Sequence, residues 1–258
     1  MGSFGQYGAA MLHAVTPGSE RLFVALDMGS AEMAEESIRL LAPVVGGFKV
    51  GLELVTAIGA KAAVELVRRH GGQVFLDGKF HDIPNTMAGA ARSAAALGVD
   101  CFTVHASAGV EGMRAAVAEK SEARVFAVTV LTSLAPETVE HVYGKSAASA
   151  VRQFAIDAAV AGCDGVVCSP LELEMLEHTV GAHPLLKVTP GVRPVWAQAD
   201  DQKRVLTPRE AILKGATHVV VGRPILRPPA SMGDPVTAAK AIVAELAEAW
   251  ESRQKENR

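Results

Sequence analysis

The sequence predicts an α/β fold, a single-domain (β/α)8 barrel of the TIM class. Three observations predict it. Short runs rich in β-branched and aromatic residues recur eight times, each nearly continuous in apolar residues, as expected of parallel strands buried on both faces. Stretches rich in Ala, Glu and Lys, with helical spacing, lie between them. The chain has 258 residues, 49% of them hydrophobic, which suits such a barrel and can bury a large core. Periodicity alone leaves a doubly wound sheet open. The count of eight, and the lack of a Gly-rich fingerprint after the first run, favour the barrel.

The strands are expected at 22–26, 48–51, 74–77, 101–105, 125–131, 165–169, 186–189 and 218–222. Helices are expected at 31–41, 60–70 and 147–161, with a last one at 236–251. Asp234 caps that last helix and Pro235 opens its first turn. Thr207-Pro208-Arg209-Glu210 reads as a capping box opening another helix, and Pro84 can start the helix after strand 3. The sequence carries no domain linker. Residues 21–250 form the barrel, 1–20 an N-terminal extension, and 251–258 a polar, frayed tail.

Composition excludes several classes. No apolar run is long enough to cross a bilayer. The net charge of −3, from 25 Lys+Arg against 28 Asp+Glu, gives no bulk basic field for nucleic acid or an anionic membrane. Cys101, Cys163 and Cys168 are an odd number without a CxxC pair, which suggests a reducing compartment and buried apolar fillers. No address signal is read at the N-terminus, so the cytoplasm is the expected location.

In a barrel the chemistry sits at the C-terminal ends of the strands. Here those ends carry charges. Strand 1 ends in Asp27, strand 2 contains Lys49, and strand 3 runs into Asp77-Gly78-Lys79, followed by Asp82. Alternation along a strand puts Asp77 and Lys79 on one face. A lysine within an apolar strand is costly unless paired, and Asp27, Asp77 and Asp82 are available to Lys49 and Lys79. Five such residues on consecutive strand ends point to an active site more than to a structural ion-pair network. His81 and His105 with Asp82 could mimic a metal cluster, but a metal is not expected, because Lys49 and Lys79 would share its space, and His105 reads as a satisfied hydrogen-bonding group at the end of strand 4.

Strand 7 ends in Thr189-Pro190-Gly191-Val192-Arg193 and strand 8 in Val221-Gly222-Arg223-Pro224. Barrels often hold a phosphate between the loops after these strands. Glycines let backbone N–H groups approach it, and arginine adds a forked charge. The long connection from 194 to 205 carries Gln198, Gln202 and Lys203 and could close over a ligand. His141, Tyr143 and Lys145 read as loop residues after strand 5, and Trp196 as a clasp or as loop packing.

The run Asp77-Gly78-Lys79-Phe80-His81-Asp82-Ile83-Pro84-Asn85-Thr86 resembles the D-x-K-x-x-D-I-x-x-T pattern of the bacterial orotidine 5′-phosphate decarboxylase family. Supporting matches are Ala25-Leu26-Asp27, Phe48-Lys49-Val50-Gly51, Thr129-Val130-Leu131-Thr132-Ser133, the two Gly/Arg strand ends, and Asp201-Gln202-Lys203-Arg204-Val205. The resemblance implies decarboxylation of orotidine 5′-phosphate to UMP and CO2 in pyrimidine biosynthesis, without cofactor or metal. It implies that Lys79 is the proton donor and that Asp77 lies beside the substrate carboxylate. Asp27 and Lys49 would bind the ribose hydroxyls, with Lys49 also in the charge array. Thr132 or Ser133 would meet the pyrimidine. Gln202, Arg193, Gly222 and Arg223 would hold the 5′-phosphate. It further implies a homodimer in which Asp82, Ile83 and Thr86 reach the other subunit's ligand. Three alternatives stand beside it. One is a sister barrel decarboxylase that acts on a keto-sugar phosphate with Mg²⁺, which resembles this pattern but has an acidic residue where this chain has Lys49. The others are a Schiff-base aldolase using Lys79 and a silent phospho-ligand sensor.

Overall fold

The computed structural model describes residues 16–177, 179, 185–197 and 206–256. Eight parallel strands close into a barrel in chain order. They are β1 (Leu22–Leu26), β2 (Gly47–Val50), β3 (Gln73–Phe80), β4 (Cys101–His105), β5 (Arg124–Val128), β6 (Gly165–Val167), β7 (Leu186–Pro190) and β8 (His218–Val221). The helices are α1 (Ala31–Leu41), α2 (Leu52–Ile58), α3 (Ala60–Arg69), α4 (Pro84–Ala96), α5 (Gly109–Ala118), α6 (Pro136–Tyr143), α7 (Ala147–Ala161), α8 (Leu173–Glu177), α9 (Pro208–Leu213), α10 (Arg223–Leu226) and α11 (Pro235–Glu256).

Two apolar layers follow from strand alternation. On β1, Leu22, Val24 and Leu26 join the large core between sheet and helices, while Phe23 and Ala25 face the barrel axis. The axis is filled by Phe23, Phe75 and Phe126, with ring centroids 5.4 Å apart for the first pair and 5.9 Å for the second. Burial of each ring contributes about 2–3 kcal/mol. This aromatic layer is the floor on which the strand-end charges stand.

The caps act as the sequence predicts. Thr207 and Glu210 form a reciprocal capping box on α9, and Asp234 accepts from the Thr237 N–H at 2.9 Å at the start of α11. Strands β5 and β6 end at Val128 and Val167, short of the expected 131 and 169. Three further local features differ from the sequence reading. His141 and Tyr143 lie in α6 rather than in a loop, because Tyr143 packs edge-on against Phe154 of α7 at 5.3 Å. Helix α11 runs on to Glu256, past residue 251 where the polar composition ends it. Its last turns are tied down by Arg253, which donates to the Ala216 carbonyl at 3.2 Å and pairs with Glu177 at 2.9 Å. One turn back, the Arg21 guanidinium lies 3.3 Å over the Trp250 ring, so the residues entering β1 dock on this same end of α11.

The third difference bears on the site. Strand β3 is longer than expected and is not regular at its end. Leu76 pairs with Phe102 and Phe80 with Val104, so four steps along β3 oppose two along β4. The slack is a bulge at Gly78 and Lys79, and Lys79 takes the left-handed conformation at φ +49°. A non-glycine residue held there costs about 1–3 kcal/mol and is typical of functional sites.

Candidate active site

The strand ends bring four of the expected charges together. Lys49 Nζ lies 2.9 Å from Asp27 Oδ1 and 3.5 Å from Asp77 Oδ2. Lys79 Nζ lies 2.6 Å from the same Asp77 oxygen. The order is Asp27, Lys49, Asp77, Lys79, alternating in sign. Asp77 and Lys79 do share the barrel mouth, but through the bulge rather than through regular alternation. Burial pushes the Asp77 carboxyl up. Lys49 and Lys79 outweigh that, with hydrogen bonds from Lys79 and Thr103, and hold it below its ordinary value. Glycine at position 51 makes room for the outer pair. A Cβ there would stand 2.7 Å from Lys49 Nζ and 2.9 Å from Asp27 Oδ1.

A cavity of about 680 Å³ opens above the array. Asp27, Lys49, Asp77 and Lys79 line one part of it, and Gly191, Arg193, Gly222 and Arg223 line another. Gly191 sits at φ +78°, a conformation that favours glycine. Arg193 is buried, and its backbone N–H donates to the Leu206 carbonyl at 2.9 Å. Val128, Val130, Leu131 and Val167 supply apolar wall, and Thr132 lines the cavity where Ser133 does not. The charged end and the Gly/Arg end thus face one space large enough for a mononucleotide.

The family model described as Orotidine 5′-phosphate decarboxylase / HUMPS family matches residues 20–242. The chain belongs to that family. Among curated relatives, an orotidine 5′-phosphate decarboxylase of Anaeromyxobacter dehalogenans is 51% identical over 231 residues, covering 88% of this chain and 99% of that protein. One of Moorella thermoacetica is 45% identical over 238 residues, covering 88% and 92%. The crystal structure of orotidine 5′-phosphate decarboxylase from Lactobacillus acidophilus superposes with a TM-score of 0.72 at 33% identity, covering 87% of this chain and 98% of that one. As a member of the orotidine 5′-phosphate decarboxylase family the chain is an enzyme, a carboxy-lyase on a barrel shared with its relatives.

The remaining expected residues fall in three groups. Asp82, Ile83 and Thr86 stand apart from the array: all three are exposed and none lines the cavity. The Asp82 carboxylate accepts from its neighbour's Ile83 N–H at 2.7 Å instead of pairing with Lys49 or Lys79. The sequence offers Asp82 as a partner to those lysines within one chain. The turn into α4 carries it outward. Gln202 lies outside the described residues, as do Gln198 and Lys203. Trp196 packs against the main core, the loop-packing alternative.

One neighbour of the array escapes the sequence reading. Thr103 on β4 is fully buried, and its hydroxyl lies between Asp77 and Lys79. Its signal is faint: a lone hydroxyl at an inward position of the strand beside the Asp-x-Lys run. The cysteines fit their reading as fillers, since all three are buried thiols, and burial pushes Cys163 and Cys168 up to about 12. The His81 and His105 rings lie 5.5 Å apart, tilted by 38°. His105 is not the satisfied hydrogen-bonding group that the sequence suggests: its Nδ1 is buried and, among the described residues, has no hydrogen-bond partner. Burial first, then His81 and Lys79, hold the His105 imidazole below its ordinary value. Among the described residues no group of three or more His, Cys, Asp and Glu is arranged to hold a metal ion, and no helix is long and apolar enough to cross a membrane.

Proposed function

We propose that the chain converts orotidine 5′-phosphate to UMP and CO2 without metal or cofactor, with Lys79 as the proton donor. The observation that carries this reading is the alternating array, in which Lys49 and Lys79 share one Asp77 oxygen at 3.5 and 2.6 Å. Breaking the C6–CO2 bond leaves an electron pair on C6. A fixed ammonium next to that carbon stabilises the developing charge without reorganising at the moment of reaction. Lys79 then gives its proton to C6, and solvent returns one to the amine. Asp77 lies beside the substrate carboxylate and anchors both ammonium groups.

The rest of the cavity supports the same pose. Asp27 and Lys49 bind the ribose hydroxyls. Arg193, Gly222 and Arg223, with Gln202, hold the 5′-phosphate. Thr132 meets the pyrimidine edge. Phosphate binding far from C6 supplies energy that orders the reacting end. Asp82, Ile83 and Thr86, exposed on one chain, complete the site of a second copy in a homodimer. Lys49 argues against a keto-sugar decarboxylase that needs Mg²⁺ at that position, since its ammonium repels a cation. A cytoplasmic location belongs to the same reading and is supported by the three buried thiols.

The test is turnover in EDTA. The purified protein and orotidine 5′-phosphate are mixed and the pyrimidine ultraviolet absorbance is followed. The expected result is a fall in absorbance with stoichiometric UMP and CO2. No change in EDTA, with activity on a keto-sugar phosphate after Mg²⁺ is added, contradicts the reading.

A further inference from the structure

We propose that Thr103 is a positioning residue for the decarboxylation: its hydroxyl fixes the direction in which Asp77 and Lys79 face the substrate. The inference rests on the function proposed above. Thr103 Oγ1 donates to Asp77 Oδ1 at 2.9 Å and accepts from the Lys79 backbone N–H at 2.9 Å. The side chain is fully buried on β4. A hydroxyl has one hydrogen and two lone pairs, so the one donor is committed to the carboxylate.

Both bonds act where the strand is weakest. The β3–β4 ladder slips between Leu76 and Phe80, and Lys79 sits in that slip at φ +49°. The Lys79 N–H is bonded to a side chain there, and Thr103 is that side chain. The bond holds the left-handed residue in place and aims its side chain. The other bond occupies Asp77 Oδ1. The carboxylate therefore presents Oδ2 to Lys79 at 2.6 Å and to Lys49 at 3.5 Å. Without the hydroxyl the carboxylate can turn about its terminal torsion, which is broad and nearly two-fold. The bulge then keeps its strain but loses its tie.

Asp77 is faced by Lys49 from β2, by Lys79 from its own strand, and by Thr103, Cys101 and His105 from β4. Of these, Lys49, Lys79 and Thr103 hold it below its ordinary value. Removing the hydroxyl raises the Asp77 pKa, so the acid limb of kcat moves to higher pH.

The experiment compares wild type with Thr103→Val, which keeps the shape and deletes the hydroxyl, and Thr103→Ser, which keeps both bonds. Turnover of orotidine 5′-phosphate, binding of UMP and the pH profile of kcat are measured for each. The expected result is a fall of about 100-fold in kcat for valine. UMP affinity should stay within about 3-fold. The acid limb should shift upward, and serine should restore most of the rate. If the valine variant does not fold, Thr103→Ala deletes the same hydroxyl and carries the same comparison. A hydroxyl-free variant with wild-type kcat and an unmoved pH profile overturns the inference. So does a loss of rate that only tracks the folded fraction. A wild-type protein silent on orotidine 5′-phosphate overturns the proposed function itself, and is told apart because the failure precedes any substitution.

Discussion

Gly51 is where the residue scale is most sharply tested. Its backbone, at φ −97° and ψ −179°, accepts any residue. What alanine meets is the Asp27–Lys49 pair, with its Cβ 2.7 Å from Lys49 Nζ. The Lys49 tip is flexible and can move, so the clash is relieved by shifting the ammonium proposed to bind the ribose. Gly51→Ala should therefore raise KM for orotidine 5′-phosphate about tenfold, which is about 1.4 kcal/mol, while the fold persists. Steady-state kinetics with a melting curve check this, and an unchanged KM would show the pair is not part of binding. Individual charges were legible in the sequence, because Asp27, Lys49, Asp77 and Lys79 interrupt apolar runs where burial makes charge costly. Thr103 was not legible, since a threonine in a strand is ordinary. Asp82 was legible as a charge but not by direction, because the sequence does not reveal how the turn before α4 carries it outward.

Elements were legible wherever a local rule decides them. The Thr207–Glu210 box marks α9 in sequence and in space, with Thr207 Oγ1 accepting from the Glu210 N–H at 3.2 Å and the Glu210 carboxylate accepting from the Thr207 N–H at 2.8 Å. Thr207→Ala should cost about 1 kcal/mol, seen as a fall of about 2–4 °C in melting temperature by thermal denaturation. An unchanged melting temperature would mean that α9 is held by its packing on α11 and not by its cap. The bulge in β3 was not legible. Gly78 hints at it, since a Cβ there would stand 2.6 Å from the Phe80 ring, but register is a property of two strands and one strand's sequence does not carry it. The extra turns of α11 escaped for a similar reason. Arg253 reads as solvated tail until Ala216 and Glu177 are known to lie beside it.

At the scale of the whole molecule, eight buried strands in chain order were legible because each is apolar on both faces. The proposed second copy is implied by the family resemblance alone, since nothing in composition marks a shared site. The exposure of Asp82, Ile83 and Thr86 beside an array that lacks them gives the dimer reading a direct test. Lys79→Ala and Asp82→Ala chains are each expected to be inactive alone. Mixed and allowed to exchange, they should recover activity in about a quarter of the sites, because each mixed dimer holds one intact site. No recovery after exchange is verified, by mass or by a fluorescence label, would place Asp82 in its own subunit's chemistry or outside the chemistry altogether.

The central claim is that a fixed Lys79 ammonium drives and completes the reaction at C6. The most direct measurement compares wild type with Lys79→Ala for turnover of orotidine 5′-phosphate in EDTA, and for UMP binding. The expected result is loss of turnover with UMP binding largely intact, since the Gly/Arg end of the cavity is untouched. Near-wild-type turnover by Lys79→Ala would contradict the account.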